Sequence, residues 1–218
     1  MKPVLEMIHV EKHFGGVRAI DDFSFRVNEG EFVGIMGASG SGKTTLVKLL
    51  KGLLKPVGGE IYYAGENMVG KTVAMLAGEV GYVFQNPDDQ IFKYHVIDEV
   101  MFGPQNIGMS KEQAKNRAME ALKTVGLEAL AEENPYDLEL SQRKLVAIAS
   151  VLAMDTKVLI LDEPTNGLDP VGIHEIRTLI RSLPEQYDCT VLVSSHLLPE
   201  IELMADDIGI LNLSLIHI

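Results

Sequence analysis

The sequence predicts an α/β fold built on a parallel sheet and interrupted by a helical insertion. Three observations carry this. Short strand-type runs alternate with helix-like stretches. Several of those runs are apolar throughout and end on polar residues, as strands of a parallel sheet do at their functional edge. From about Gln90 to Met154 the chain is mostly helical in pattern, with few β-branched runs. The 218 residues suffice for one large domain or two small ones. Hydrophobic residues at 46% and charged residues at 23% exclude wholesale disorder.

The elements follow in order. Phe23–Val27 alternates apolar and polar residues, as a half-exposed strand would, and Phe32–Met36 reads as a buried strand. Gly37-Ala38-Ser39-Gly40-Ser41-Gly42-Lys43-Thr44 then matches G-x-x-x-x-G-K-[ST] in full. A helix-like run, Thr45–Leu54, follows it. Glycines let the backbone wrap phosphates with its N–H groups pointing inward, and the helix adds its positive end. Lys43 is placed to reach the β- and γ-phosphates, and the Thr44 hydroxyl to bind Mg²⁺. This is a nucleotide phosphate site.

Tyr82–Phe84 is a further strand, ending at Gln85, whose amide could sense Mg²⁺ or a γ-phosphate. In the helical stretch, Ser110 and Gln113 have capping-box spacing, Ala118, Leu122 and Val125 share one face, and Gly126 stops the helix. The stretch reads as a subdomain inserted between two parts of one core, or as simple crossover helices. Val158–Leu161 is a buried strand that delivers Asp162 and Glu163 to the phosphate edge. Asp162 can hold the metal through water, and Glu163 can orient or deprotonate the attacking water. After the strand Thr190–Val193 and Ser194-Ser195, His196 could hydrogen-bond the γ-phosphate or that water. Phe14 is either a core aromatic or a plate for an adenine ring.

The charge balance of 19 Lys+Arg against 31 Asp+Glu leaves a net −12, which disfavours nucleic acid as a partner. Cys189 is the only cysteine, so no internal disulfide can form and a reducing compartment is expected. No apolar run approaches the ~20 residues of a membrane-spanning helix.

The phosphate loop, Gln85, the acid pair, Asn166-Gly167-Leu168-Asp169 and His196, in this order, resemble the nucleotide-binding domain of ATP-binding-cassette (ABC) proteins from about Val4 to Leu211. The resemblance implies a P-loop NTPase core with a parallel sheet, an N-terminal antiparallel β part and an inserted helical subdomain. It divides the chain into an α/β core over 1–87 and 155–212 and a helical subdomain over 88–154. It implies Mg²⁺-dependent ATP hydrolysis, with Gly37–Thr44 and Thr45 on the nucleotide, Phe14 stacked on adenine, and Thr44, Gln85 and Asp162 around the metal. Glu163 and His196 serve the water, Lys43 and Gln85 share in catalysis, and Asp169 sits at a dimer contact. The implied partners are a second ATPase subunit and integral membrane subunits, at the cytoplasmic face of the membrane.

The departure is the family signature Leu-Ser-Gly-Gly-Gln. Counting back without a gap from Val146-Ala147-Ile148-Ala149 gives Leu138-Glu139-Leu140-Ser141-Gln142, with Glu139 for the serine and no glycine. A carboxylate there repels a γ-phosphate, and Ser141 and Gln142 are the residues left to face a partner's ATP. An asymmetric pair with a different ATPase subunit is the expectation. Tyr82–Phe92 and Asp98–Asn106 are similar to energy-coupling-factor importer ATPases, which take up vitamins or metal ions. Ser194–Glu202 and Asp207–Leu211 are more similar to bacitracin-type peptide exporters. Residues 213–218 resemble no family ending and read as a non-native tail. A peptide or antibiotic exporter ATPase, or an ATP-binding partner with little hydrolysis, are the alternative readings.

Overall fold

The computed structural model describes residues 3–212 and 215–217, the last three and Asn212 by their backbone alone. β1 (Pro3–Phe14) and β2 (Val17–Asn28) form a long hairpin. With β4 (Gly58–Tyr63) and β5 (Glu66–Asn67) they make an antiparallel sheet of order β2-β1-β4-β5. The second sheet has the order β10-β9-β3-β8-β7-β6. Its strands β3 (Phe32–Met36), β6 (Val80–Val83), β7 (Val158–Asp162), β8 (Thr190–Ser195) and β9 (Asp207–Asn212) run parallel, and β10 (Leu215–His217) pairs antiparallel with β9. Part of the expected non-native tail, residues 213, 214 and 218, lies outside the described residues.

The apolar strands are apolar because both faces are covered. Successive residues divide between two cores with a period of two. Leu159, Leu161, Val191 and Val193 face a core shared with the helices between β6 and β7 and with α5 (Pro170–Tyr187). Val158, Ile160, Leu192, Val33 and Ile35 face the other core, shared with α1 (Lys43–Leu50) and the antiparallel sheet.

Between β6 and β7 lie α2 (Val96–Asn106), α3 (Lys111–Thr124) and α4 (Leu140–Leu152). The Ser110/Gln113 capping box opens α3, and Gly126, at φ 72°, follows its end. These helices do not have a core of their own; α2–α4 bury Val100, Leu122 and Ile148 in the same cluster as the sheet. α6 is a single turn, Leu198–Ile201.

Two expectations shift. The helix after the phosphate loop starts at Lys43 and ends at Leu50, instead of spanning Thr45–Leu54, because Gly52 turns the chain at φ 77°. Strand β6 ends at Val83, one residue early, because the Phe84 N–H leaves the ladder to donate to Gln90 Oε1 at 3.2 Å.

Candidate active site

Strand β3 delivers the loop Gly37–Gly42, and α1 begins at Lys43, so Lys43 and Thr44 occupy the helix's first turn. Gly42 stands at φ 103°, and a Cβ on it would lie 2.6 Å from the Ala19 carbonyl, so only glycine fits this turn. Gly40, also at positive φ (80°), has open space where a side chain would be. A cleft of about 400 Å³ lies here, lined by Ser39–Thr45, Val17–Ala19, Gln85 and Glu163.

The parallel register brings the other groups to the same edge. Asp162 pairs with Ser194 across β7 and β8, and the acid pair therefore meets the end of the strand that carries His196. Thr44 Oγ1 donates to Asp162 Oδ1 at 3.2 Å, Ser194 Oγ donates to the same oxygen at 2.7 Å, and the Tyr82 hydroxyl donates to Oδ2 at 2.9 Å. Burial, then the adjacent Asp162 carboxylate, hold the Tyr82 phenol protonated well above its usual range.

Glu163 is 7% exposed and stands at φ 48°, in the left-handed region a glutamate rarely adopts. Its backbone N–H donates to Ser194 Oγ at 3.1 Å. Its carboxylate faces Lys43 Nζ at 3.1 Å through Oε1 and takes a hydrogen bond with His196 Nδ1 through Oε2. Lys43 also donates to the Gly37 and Ala38 carbonyls, at 2.7 and 3.1 Å. The lysine is thereby folded onto its own loop, beside the space a phosphate would take. The hydroxyl of Ser41 is buried without a hydrogen-bond partner among the described residues, which fits a loop shaped for a ligand. For Mg²⁺, the hydroxyl of Thr44 and the carboxylate of Asp162 supply adjacent hard oxygen donors, with Gln85 on the same cleft.

The structure therefore brings together Gly37, Ala38, Ser39, Gly40, Ser41, Gly42, Lys43, Thr44, Thr45, Gln85, Asp162, Glu163 and His196. Phe14 is 48% exposed at the hairpin end, which removes the core reading, and Lys12 Nζ lies 5.3 Å from its ring centre. Asp169 caps α5, accepting from the Gly172 N–H at 2.9 Å. Glu139 occupies the N-cap of α4, where its N–H donates to Gln142 Oε1 at 3.2 Å. Ser141 follows in the first turn, and a Cβ on Gly172 would lie 3.4 Å from its Cβ, so the starts of α4 and α5 abut. Sequence reasoning missed Tyr82, Ser194 and Lys144, which only the strand register and the approach of α4 bring to the acids.

With this geometry in view, comparison with known proteins is direct. The family model described as "ABC transporter" matches residues 20–166. An energy-coupling factor transporter ATP-binding protein EcfA2 of Caldanaerobacter subterraneus is 43% identical over 89% of this chain and 69% of its own length. An energy-coupling factor transporter ATP-binding protein EcfA of Methanosphaera stadtmanae is 40% identical over 90% of this chain and 71% of its own. Such curated relatives are matched over about two thirds of their length. Among solved structures, cbiO1 of Clostridium perfringens, part of the ABC transporter complex cbiONQ, superposes with a TM-score of 0.91 at 32% identity, over 100% of this chain and 88% of that one. A dimeric cassette bound to ADP and Pi in a post-hydrolysis state gives a TM-score of 0.88 at 29% identity, over 98% and 97%. The family model spans the phosphate loop and the acid pair, and the chain belongs to the ATP-binding proteins of the ABC transporter family.

Proposed function

We propose that this chain is the ATP-hydrolysing subunit of an energy-coupling-factor-type membrane importer of a vitamin or metal ion. The observation that carries the reading is the convergence of Lys43, Thr44, Asp162, Glu163 and His196 on one phosphate-sized cleft. The loop N–H groups and the N-terminal end of α1 hold the phosphates, and Lys43 exchanges its own loop carbonyls for phosphate oxygens. Water attacks the γ-phosphorus, forming one P–O bond as the bond to the ADP oxygen breaks. A Glu163 carboxylate oxygen takes the water's proton, while His196 holds that carboxylate from its other oxygen. Mg²⁺, held by Thr44, Asp162 and Gln85, supplies charge neutralisation to the phosphates when bound.

Phe14, exposed at the tip of the β1–β2 hairpin, is the plate for adenine. The division into a 1–87 plus 155–212 core and an 88–154 helical subdomain belongs to the same reading, as does a site at the cytoplasmic face of the membrane. Phe92, Tyr94 and Tyr136 are exposed on the helical part, downstream of Gln85, and fit a membrane subunit docking there. The second partner is a different ATPase subunit. Glu139, exposed at the start of α4, places a carboxylate where the family signature has serine, so Ser141 and Gln142 make a weak site for a partner's ATP. That same feature supports the second reading, a nucleotide-binding partner with little turnover.

The discriminating experiment is phosphate release by the full chain, with and without a second ATPase subunit and membrane subunits in liposomes, using Glu163→Gln as control. The importer reading predicts stimulation that the control lacks. Tight ATP binding without stimulation by any partner selects the low-turnover reading.

A further inference from the structure

Lys144 is the one ammonium of α4 that the mechanism above does not use, and it is 4% exposed. Its neighbours Leu145, Val146 and Ala147 are apolar core residues. A buried ammonium is costly unless its donors are used. Its Nζ donates to two backbone carbonyls, that of Gln85 at 3.1 Å and that of Glu163 at 3.4 Å. Both residues turn their side chains to the phosphate cleft. Glu163 also carries a left-handed backbone, which persists only where its surroundings over-determine it. Ser194 holds its N–H, the Asn166 N–H holds its C=O at 3.1 Å, and Lys144 adds a longer contact to that C=O while it also reaches the Gln85 peptide.

We infer that Lys144 is a positioning residue that ties the start of α4 to the Gln85 and Glu163 peptides together, setting the Glu163 carboxylate for the attacking water. The inference rests on the hydrolytic reading above. It gives α4, whose first turn carries Ser141 and Gln142, a direct mechanical link to the acid that serves the water.

The test is ATP hydrolysis by the full chain and its Lys144→Met and Lys144→Arg variants, with ATP affinity and unfolding midpoint measured on the same samples. Methionine keeps the stem and removes the donors. It should leave KM and nucleotide affinity within about twofold and lower kcat by roughly tenfold to a hundredfold, with a cooperative unfolding transition showing that the variant is folded. Arginine, which can still donate to both carbonyls, should recover much of the rate. If Lys144→Met does not fold, Lys144→Gln supplies the same comparison, keeping a donor without the reach. An active wild type whose folded variant keeps full kcat, or loses kcat and affinity in step, overturns the positioning role alone. A wild type that binds ATP without releasing phosphate overturns the hydrolytic reading beneath it.

Discussion

Glu163 and Asp162 are each held by residues far away in the chain, and those supports have separable consequences. Ser194 is the most connected of them, donating to Asp162 and accepting from the Glu163 N–H. Ser194→Ala leaves the Glu163 N–H with the Ser194 carbonyl alone and Asp162 Oδ1 with Thr44 alone, so it should cost about 1 kcal/mol in chemical denaturation and slow phosphate release as well. A loss of rate without loss of stability would mean the hydroxyl acts on the chemistry alone. Lys43→Met should act differently, weakening nucleotide binding itself, as isothermal titration would report; unchanged affinity would remove Lys43 from the phosphate site. At this scale the sequence showed the phosphate loop and the acid pair plainly, since each is a local pattern with its own chemical logic. Tyr82, Ser194 and Lys144 were not legible because a lone tyrosine, serine or lysine has many ordinary uses. Only the parallel register and the approach of α4 aim them at the acids.

Among the elements, the buried strands could be read from their unbroken apolar runs, and α3 from its capping box and its Ala118, Leu122 and Val125 face. The long hairpin was read only in part, over Phe23–Val27. Its first strand carries Glu6, His9 and Glu11 and register shifts between Met7 and Lys12, which break the alternation that marks a strand. The end of α1 was misplaced for a related reason: Leu53 and Leu54 look helical, while Gly52 has already turned the chain. Lys51 caps that helix and donates from a buried position to the Leu76 and Val80 carbonyls, joining α1 to the start of β6 and the turn before it. Burial lowers its ammonium to about 8 from 10.5. Between those values the unfolded chain binds more protons than the folded one, so this group's contribution to stability rises with pH. Lys51→Met abolishes that increment. The wild type should therefore gain stability relative to the variant between about pH 8 and pH 10.5. A difference in denaturation midpoint that is flat across this range would contradict the assignment.

For the whole molecule, the arrangement is two cores back to back across one sheet, with the phosphate loop at one end of the shared strands and α4 reaching it from the other core. Groups from both layers therefore meet at the phosphate cleft, and the docking of a membrane subunit proposed above lies on the layer that α4 links to that cleft. Restoring glycines at Leu140 and Ser141 should raise turnover in a self-pair of this chain, and an active self-pair whose rate ignores the change would contradict the expectation of a different partner. The central claim, that the Gly37–Thr44 cleft binds ATP and Glu163 drives its cleavage, is tested most directly by comparing wild type and Glu163→Gln for ATP affinity and phosphate release on the same preparations. Equal affinity with release slowed by roughly a hundredfold or more is the predicted result. Release at the wild-type rate by Glu163→Gln would contradict it.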